Sequence, residues 1–214
     1  MSSTRLFCKF SAALAAVLLA SCATKVDPST LDKKAETYKN PYPAGTYDHF
    51  KAEKDYPKTY NVWRNEELLS QTDASNSTIV IDLATQRGLL KNGEEVVMDY
   101  PICSGIKSRP TPPGTYKILE KVVDKSSNRY GRILDVNGDT VNGDADAFND
   151  PIPEGGKFVG ASMRYWMRLT WDGVGHHIGP VKRYPASHAC IRGPSKVMPL
   201  VYSKMKVGST VVVQ

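Results

Sequence analysis

The chain has 214 residues, 41% of them hydrophobic and 23% charged, enough to bury one proper core and carry a tail, so one globular domain is expected. A formal net charge of +6 and a pI near 9.0 suit an anionic neighbourhood such as a cell-wall polymer or a membrane surface. Nucleic acid fits the sign too, but no basic run is interleaved with aromatic residues, and binding to it is not expected.

At the N-terminus, Arg5 and Lys9 precede an apolar stretch, Phe10 to Ala20, that is too short to span a bilayer. This is the layout of a secretory signal. The junction Leu19-Ala20-Ser21-Cys22 resembles the lipobox of bacterial lipoproteins. The resemblance implies removal of residues 1–21 and lipidation of Cys22, whose several acyl chains anchor durably where one chain is marginal. Ala23, in place of an aspartate, resembles enterobacterial sorting to the outer membrane. The expected location is the cell envelope, lipid-anchored on the periplasmic face of that membrane.

Residues 22–74 read as a tether. Pro28, Pro41, Pro43 and Pro57 stand among lysines, aspartates and tyrosines with no sustained apolar period, which predicts a semi-extended linker. Within it, Tyr56 to Gln71 supplies apolar surface through Tyr60, Val62, Trp63, Leu68 and Leu69 that could dock on the domain. Asn65 to Leu69 could form a short capped helical turn. There is no internal repeat.

The domain proper, residues 75–214, reads mainly as strands. Thr78 to Leu83 is β-branched, Arg87 to Lys91 leads into the turn pair Asn92-Gly93, and Glu95 to Ile102 follows, which predicts a hairpin. Thr115 to Val123, the alternating Met163 to Trp171 and Val207 to Val213 are further strands. Ser195 to Met205 is the helical candidate, with Ser195 as N-cap and Pro199 in the first turns, where proline is tolerated. Short strands with glycine and proline turns predict a mainly β fold, a β-sandwich or half-barrel with one or two short helices. Asp135, Asn137, Asp139 and Asp146 mimic a calcium loop, but Thr140 replaces the turn glycine and a solvated acidic loop is expected. Asp82 reads as a structural carboxylate.

Chemistry concentrates in Ser187-His188-Ala189-Cys190-Ile191-Arg192. A thiol attacks as the thiolate, and a nearby imidazole or cation lowers its pKa. His176 and His177 lie just upstream, and Tyr184 to Ser187 with Gly193-Pro194 mark a turn-rich site. The plain alternative is that Cys190 is one more small buried hydrophobe.

The run Gly175 to Pro194 resembles the catalytic signature of the L,D-transpeptidases (YkuD domains), in which a histidine is followed after a loop by Ser-His-Gly-Cys-x-Arg. Further matches in the same order are Ile79 to Leu83 with Gln86, Pro101 to Gly105, Thr111 to Tyr116, and Met163 to Met167. Ala189 stands where the family has glycine; a positive φ there would cost about 1 kcal/mol. The resemblance implies Cys190 as nucleophile and His177, in His177-Ile178-Gly179, as its base. It further implies backbone N–H groups near Ala189 and Cys190 as oxyanion donors, and Ser187 and His188 as residues that shape the site. Arg192 would hold a substrate carboxylate or pair structurally, and Tyr165 and Trp166 could line a substrate groove, although alternation puts one of them in the core.

The implied reaction forms a thioester on Cys190 from a peptidoglycan stem and passes it to a second stem as a 3→3 crosslink. The alternatives are an L,D-carboxypeptidase or amidase using the same thioester, and a non-catalytic peptidoglycan-binding lipoprotein. No metal or organic cofactor is called for, the expected partners are peptidoglycan stem peptides and the membrane through the lipid anchor, and a monomer is expected. An oxidising compartment could join Cys103 to Cys190, but a disulfide would consume the nucleophile, so two free thiols are expected, with Cys103 a packing residue. An imidazolium at His177 is expected to hold the thiol as thiolate below the usual thiol range.

Overall fold

The computed structural model describes residues 26–214; the expected signal and the lipidation at Cys22 lie outside the described residues. After a 3-10 turn at Pro28–Thr30 come α1 (Tyr47–Lys51), β1 (Trp63–Arg64), α2 (Glu66–Ser70), β2 (Ser77–Asp82), β3 (Arg87–Asn92) and β4 (Glu95–Pro101). Next are β5 (Gly114–Lys117), β6 (Glu120–Val122), β7 (Ser126–Leu134), β8 (Thr140–Asp146) and β9 (Lys157–Ser162). The chain closes with β10 (Trp166–Arg168), β11 (Gly175–Ile178), β12 (Ile191–Gly193), α3 (Met198–Ser203) and β13 (Thr210–Val213). No helix among the described residues is long and apolar enough to cross a membrane.

The three expected strands are present as β2, β3 and β4, and β2 alternates buried and half-buried side chains along its length, as a strand with one face on the core must. The hairpin turn is displaced by one residue. Asn92 pairs with Glu95, so the two-residue loop is Gly93-Glu94, and Gly93 supplies the positive φ of +56°. Between Leu90 and Lys91 the pairing steps from Met98 to Val96, making Val97 the extra residue of a bulge. The Val97 carbonyl accepts from Asn65 N–H at 2.9 Å, which seats β1 on the outer edge of β4. Gly88 on β3 must be glycine, since a Cβ would lie 2.5 Å from the Tyr100 ring.

Six strands in the order β1-β4-β3-β2-β13-β5 form the first sheet, with β13 parallel to β2. A second, four-stranded sheet runs β12-β11-β10-β6. The expected strand Thr115 to Val123 is divided between the two: β5 belongs to the first and β6 to the second. Buried Ile118 donates to Ser209 O at 2.9 Å, and Leu119 donates to Arg168 O at 2.8 Å, so the change of sheet falls at this pair. Between the sheets lies one apolar cluster that includes Ile79, Ile81, Leu90, Met98, Ile118, Met167, Ile191 and Val211, covered by Val197, Met198, Val201 and Met205 of the α3 region. Each such aliphatic side chain contributes about 1.5–3 kcal/mol on burial. The fold is therefore mainly β, a sandwich with few short helices.

Three expectations are corrected. The helix is shorter than predicted and Ser195 does not cap it; Val197 occupies the cap position without a side-chain hydrogen bond, and Pro199 sits in the first turn. The stretch read as an acidic loop is a turn only through Asp139; from Thr140 it continues as β8, in a three-stranded sheet ordered β8-β7-β9. Asp135 closes its turn by accepting from Asn137 and Asp139 N–H, each at 2.9 Å, and Asp146 forks with Arg129. The expected strand Met163 to Trp171 shrinks to three residues because Tyr165 adopts φ +56° and the chain turns back at Thr170 to Gly173.

The segment expected as a semi-extended linker is instead packed on the first sheet well before Tyr56. Phe50 and Ala52 are buried, and α2 forms with Asn65 as its cap, as expected. The cause lies in a buried ion pair. Arg87 Nε donates to Asp99 Oδ1 at 2.6 Å with both side chains at most 1% exposed. The remaining donors of Arg87 meet Thr59 O and Asn61 O at 3.0 and 3.1 Å, while the Tyr47 and Tyr56 hydroxyls donate to Asp99 Oδ2 at 2.9 and 3.1 Å. Burial pushes the Asp99 carboxyl up and Arg87 pulls it back. A buried pair is tolerable only when its remaining valences are met, and residues 47–61 meet them.

Candidate active site

β11 is Gly-His-His-Ile, and strand alternation sends its two histidines to opposite faces. His176 enters the core with no exposed surface. Its Nδ1 lies 2.9 Å from the Ile191 carbonyl, an acceptor only, so Nδ1 carries the proton and Nε2 accepts from the Tyr100 hydroxyl at 3.1 Å. Both nitrogens are committed, and His176 is a structural residue. His177 faces the other way. Its Nδ1–H donates to the Ile178 carbonyl at 2.7 Å, which fixes the tautomer and leaves Nε2 as an unprotonated nitrogen without a partner among the described residues. That is the state a base requires. Trp166 backs the ring at 5.7 Å between centroids.

Cys190 arrives from the loop after β11, and this loop is stitched to the segment 103–111. Cys103 and Arg192 exchange two backbone hydrogen bonds of 2.9 Å, and Ser104 O accepts from Ala186 and Ser187 N–H. Gln86 holds Ser104 on both its backbone and its hydroxyl. The Thr111 hydroxyl accepts from Gly105 N–H at 2.9 Å and donates to Ala189 O at 2.7 Å. The buried Ser187 hydroxyl donates to Cys190 O. Gly105 admits no side chain here, because a Cβ would stand 2.2 Å from Arg109 O and 2.8 Å from Ala189 Cα. Ala189 has φ +75°, the left-handed conformation that costs a non-glycine residue about 1–2 kcal/mol. The Thr111 and Ser187 hydrogen bonds on either side hold it there. The backbone N–H groups of Ala189 and Cys190 donate to no group among the described residues.

Cys190 and His177 line one cavity of about 230 Å³ together with Ser127, Tyr130, His188 and Arg192. Cys190, Ala189 and His188 also line a second of about 610 Å³, whose wall includes Arg109, Arg129, Arg168 and Trp171. Cys190 thus opens on two spaces. Its Sγ lies 3.5 Å from Gly173 O. Burial pushes the thiol up, against the opposing pull of Gly175 N–H, Arg192 and Arg168. Burial likewise pulls His177 down to about 4. The resting pair is therefore a neutral thiol and a neutral imidazole, and the expected imidazolium–thiolate pair is not present.

The other expected residues divide. His188 stacks on Tyr130 at 4.4 Å and borders both cavities. Arg192 lays its aliphatic stem over Gly179 and donates to Ala186 O at 3.3 Å, with no carboxylate partner among the described residues. Tyr165 lines neither cavity; its ring meets Tyr202 edge-on at 5.4 Å, a structural packing position. Trp166 is the buried one of that pair. Cys103 and Cys190 are both free, and Cys103 is fully buried. Sequence reading missed Tyr130, Arg129 and Trp171: the first two lie on β7, a strand it did not foresee, and Trp171 lay at the end of an expected strand.

The model of the L,D-transpeptidase catalytic domain, YkuD, matches residues 76–213. No curated protein compared with the chain matches it. Among solved structures, an L,D-transpeptidase from Mycobacterium smegmatis is 23% identical with a TM-score of 0.48, over 65% of this chain and 58% of that one. Mycobacterium tuberculosis L,D-transpeptidase 1 is 20% identical with a TM-score of 0.44, over 65% and 61%. The catalytic domain of the Enterococcus faecium L,D-transpeptidase is 24% identical with a TM-score of 0.46, over 64% and 96%. The chain spans about three fifths of the length of the two mycobacterial proteins. With the match covering every strand but β1 and with Cys190 and His177 inside it, the chain belongs to the YkuD family of L,D-transpeptidase catalytic domains.

Proposed function

We propose that Cys190 takes the acyl group of a peptidoglycan stem peptide as a thioester and passes it to the amine of a second stem, forming a 3→3 crosslink. The observation that supports this most is the free Nε2 of His177, its tautomer fixed by Ile178 O, on the cavity that also holds Cys190. In this reading, Nε2 takes the thiol proton as sulfur attacks the carbonyl of the third stem residue. The oxyanion lies against the unengaged N–H groups of Ala189 and Cys190, each donor contributing a few kcal/mol. The imidazolium returns its proton to the departing D-amino acid amine, and Nε2 is again free to deprotonate the incoming amine. Cys190 bordering two cavities favours transfer over hydrolysis, since donor and acceptor can occupy separate spaces. Lipidation at Cys22 and a place on the periplasmic face of the outer membrane belong to the same proposal.

The test is incubation of the protein with a tetrapeptide-stem muropeptide, followed by mass spectrometry. A crosslinked dimer and a Cys190-dependent thioester are expected. A trimmed monomer alone would assign hydrolysis, and unchanged substrate would leave a binding module. A carbapenem should add its mass once, and the adduct should vanish with Cys190→Ala and persist with Cys103→Ala.

A further inference from the structure

The 610 Å³ cavity is walled by four cations, Arg109, Lys125, Arg129 and Arg168, against one carboxylate, Asp172. Two of the cations are engaged: Arg129 forks onto Asp146 with contacts of 2.9 to 3.2 Å, and Arg109 stands 3.9 Å from the same carboxylate while donating to the Tyr130 hydroxyl. Arg168 is placed differently. On β10 it pairs with Gly175, across from the segment whose Gly173 carbonyl lies 3.5 Å from Cys190 Sγ. Its guanidinium sits between two indoles, 5.5 Å from the Trp166 ring and 5.4 Å from the Trp171 ring. Its ion pair with Glu120 is long, 3.4 Å from a single terminal nitrogen, and its buried Nε–H donates to nothing among the described residues. Trp171 is 75% exposed at the cavity wall, a large apolar side chain with Arg168 over its ring.

We propose that Arg168, held between Trp166 and Trp171, receives a free carboxylate of the acyl-donor peptide and makes the enzyme select donors bearing that carboxylate over donors in which it is amidated. This rests on the stem-peptide reading above. A guanidinium offers a planar fork that matches a carboxylate with two parallel hydrogen bonds, and stacking between indoles fixes that plane in advance. The buried Nε–H is out of a ligand's reach, but Nη1 has no partner among the described residues and Nη2 holds Glu120 only at 3.4 Å, so the terminal pair of nitrogens supplies the fork. An amide in place of the carboxylate turns one acceptor oxygen into a donor NH₂ facing another donor, and removes the charge. Two carboxylates of a donor flank the attacked carbonyl: the terminal one of the departing D-amino acid, and the second one of a diamino-acid third residue. Either supplies the same chemistry to Arg168.

The experiment measures kcat and KM for D-amino acid release by the full chain with four tetrapeptide donors: both carboxylates free, only the side-chain one amidated, only the terminal one amidated, and both amidated. Wild type is expected to lose about tenfold or more in kcat/KM, mostly through KM, on amidation at one position, and that position identifies the source. Arg168→Gln should accept free and amidated donors equally, Arg168→Lys should recover part of the preference, and Trp171→Ala should weaken it. Circular dichroism checks folding, because Arg168→Gln also removes the Glu120 pair; Trp171→Ala, at an exposed position, leaves the fold intact and carries the test if the first variant does not fold. The proposal is overturned if wild type treats all donors alike, or if Arg168→Gln slows every donor equally and keeps the preference. Absence of release and of acylation with all four donors would instead refute the stem-peptide reading and remove this proposal with it.

Discussion

Acidification is the perturbation that most directly probes the resting state of the nucleophile. His177 is held near 4 by burial, whereas an exposed imidazole titrates near 6.5. At pH 5.5 a base with a pKa of about 4 is still about 97% neutral, while an ordinary histidine is only about 9% neutral, roughly a tenfold difference in competent enzyme. Acylation of Cys190 by a carbapenem, followed by mass spectrometry from pH 8 downward, should therefore hold its rate through about pH 5.5 on the acid side. Stability changes over the same window. The folded pKa values of His176 and His177 are both about 4, below their unfolded values, so the unfolded chain binds more protons between about 6.5 and 4. Stability is complete above 6.5 and falls as pH drops toward 4, by roughly 1–2 kcal/mol per buried imidazole at pH 5.5. Circular dichroism at each pH separates the two effects. An acid limb with its midpoint near 6.5 in folded protein, or thiolate absorbance from Cys190 at neutral pH, would refute a neutral resting pair.

Other outcomes follow from particular contacts. His177→Ala should abolish the adduct without large loss of stability. His176→Ala should destabilise by about 2–4 kcal/mol in urea titration, since it opens a space in the core and strands the Tyr100 hydroxyl, while leaving acylation measurable in the folded fraction. Ala189→Gly should raise stability by up to about 1 kcal/mol, because glycine adopts φ +75° freely, with the acylation rate within a few fold of wild type; a loss of stability would show that Ala189 is unstrained. Asp99→Asn leaves the Arg87 guanidinium buried without its counter-charge and should cost about 3–5 kcal/mol, read as a drop in the urea midpoint. Tyr47→Phe should cost only about 1 kcal/mol, and limited proteolysis should then cut first within residues 26–61.

By itself the sequence determined whatever depends on short-range pattern. β-Branched runs specify β2, β4 and β13, and the glycine turn between two short runs specifies β3, because strand formation and turn chemistry are local properties of the backbone and its side chains. The order Gly175 to Pro194 with the separated matches upstream pointed to the YkuD family, and the Ala189 substitution raised the question of a positive φ that the loop then answered. Short pattern could not say whether residues 26–61 pack, since their apolar content is low and their docking depends on two tyrosines and two carbonyls completing an ion pair between strands far along the chain. It could not find the β7–β9 sheet, where polar and acidic residues outnumber apolar ones and pairing is decided across strands rather than along them. Nor could it set the charge state of the site. Composition around Cys190 predicts a thiolate beside an imidazolium, but only tertiary burial, which penalises both charged forms, decides that the thiol and the imidazole wait neutral.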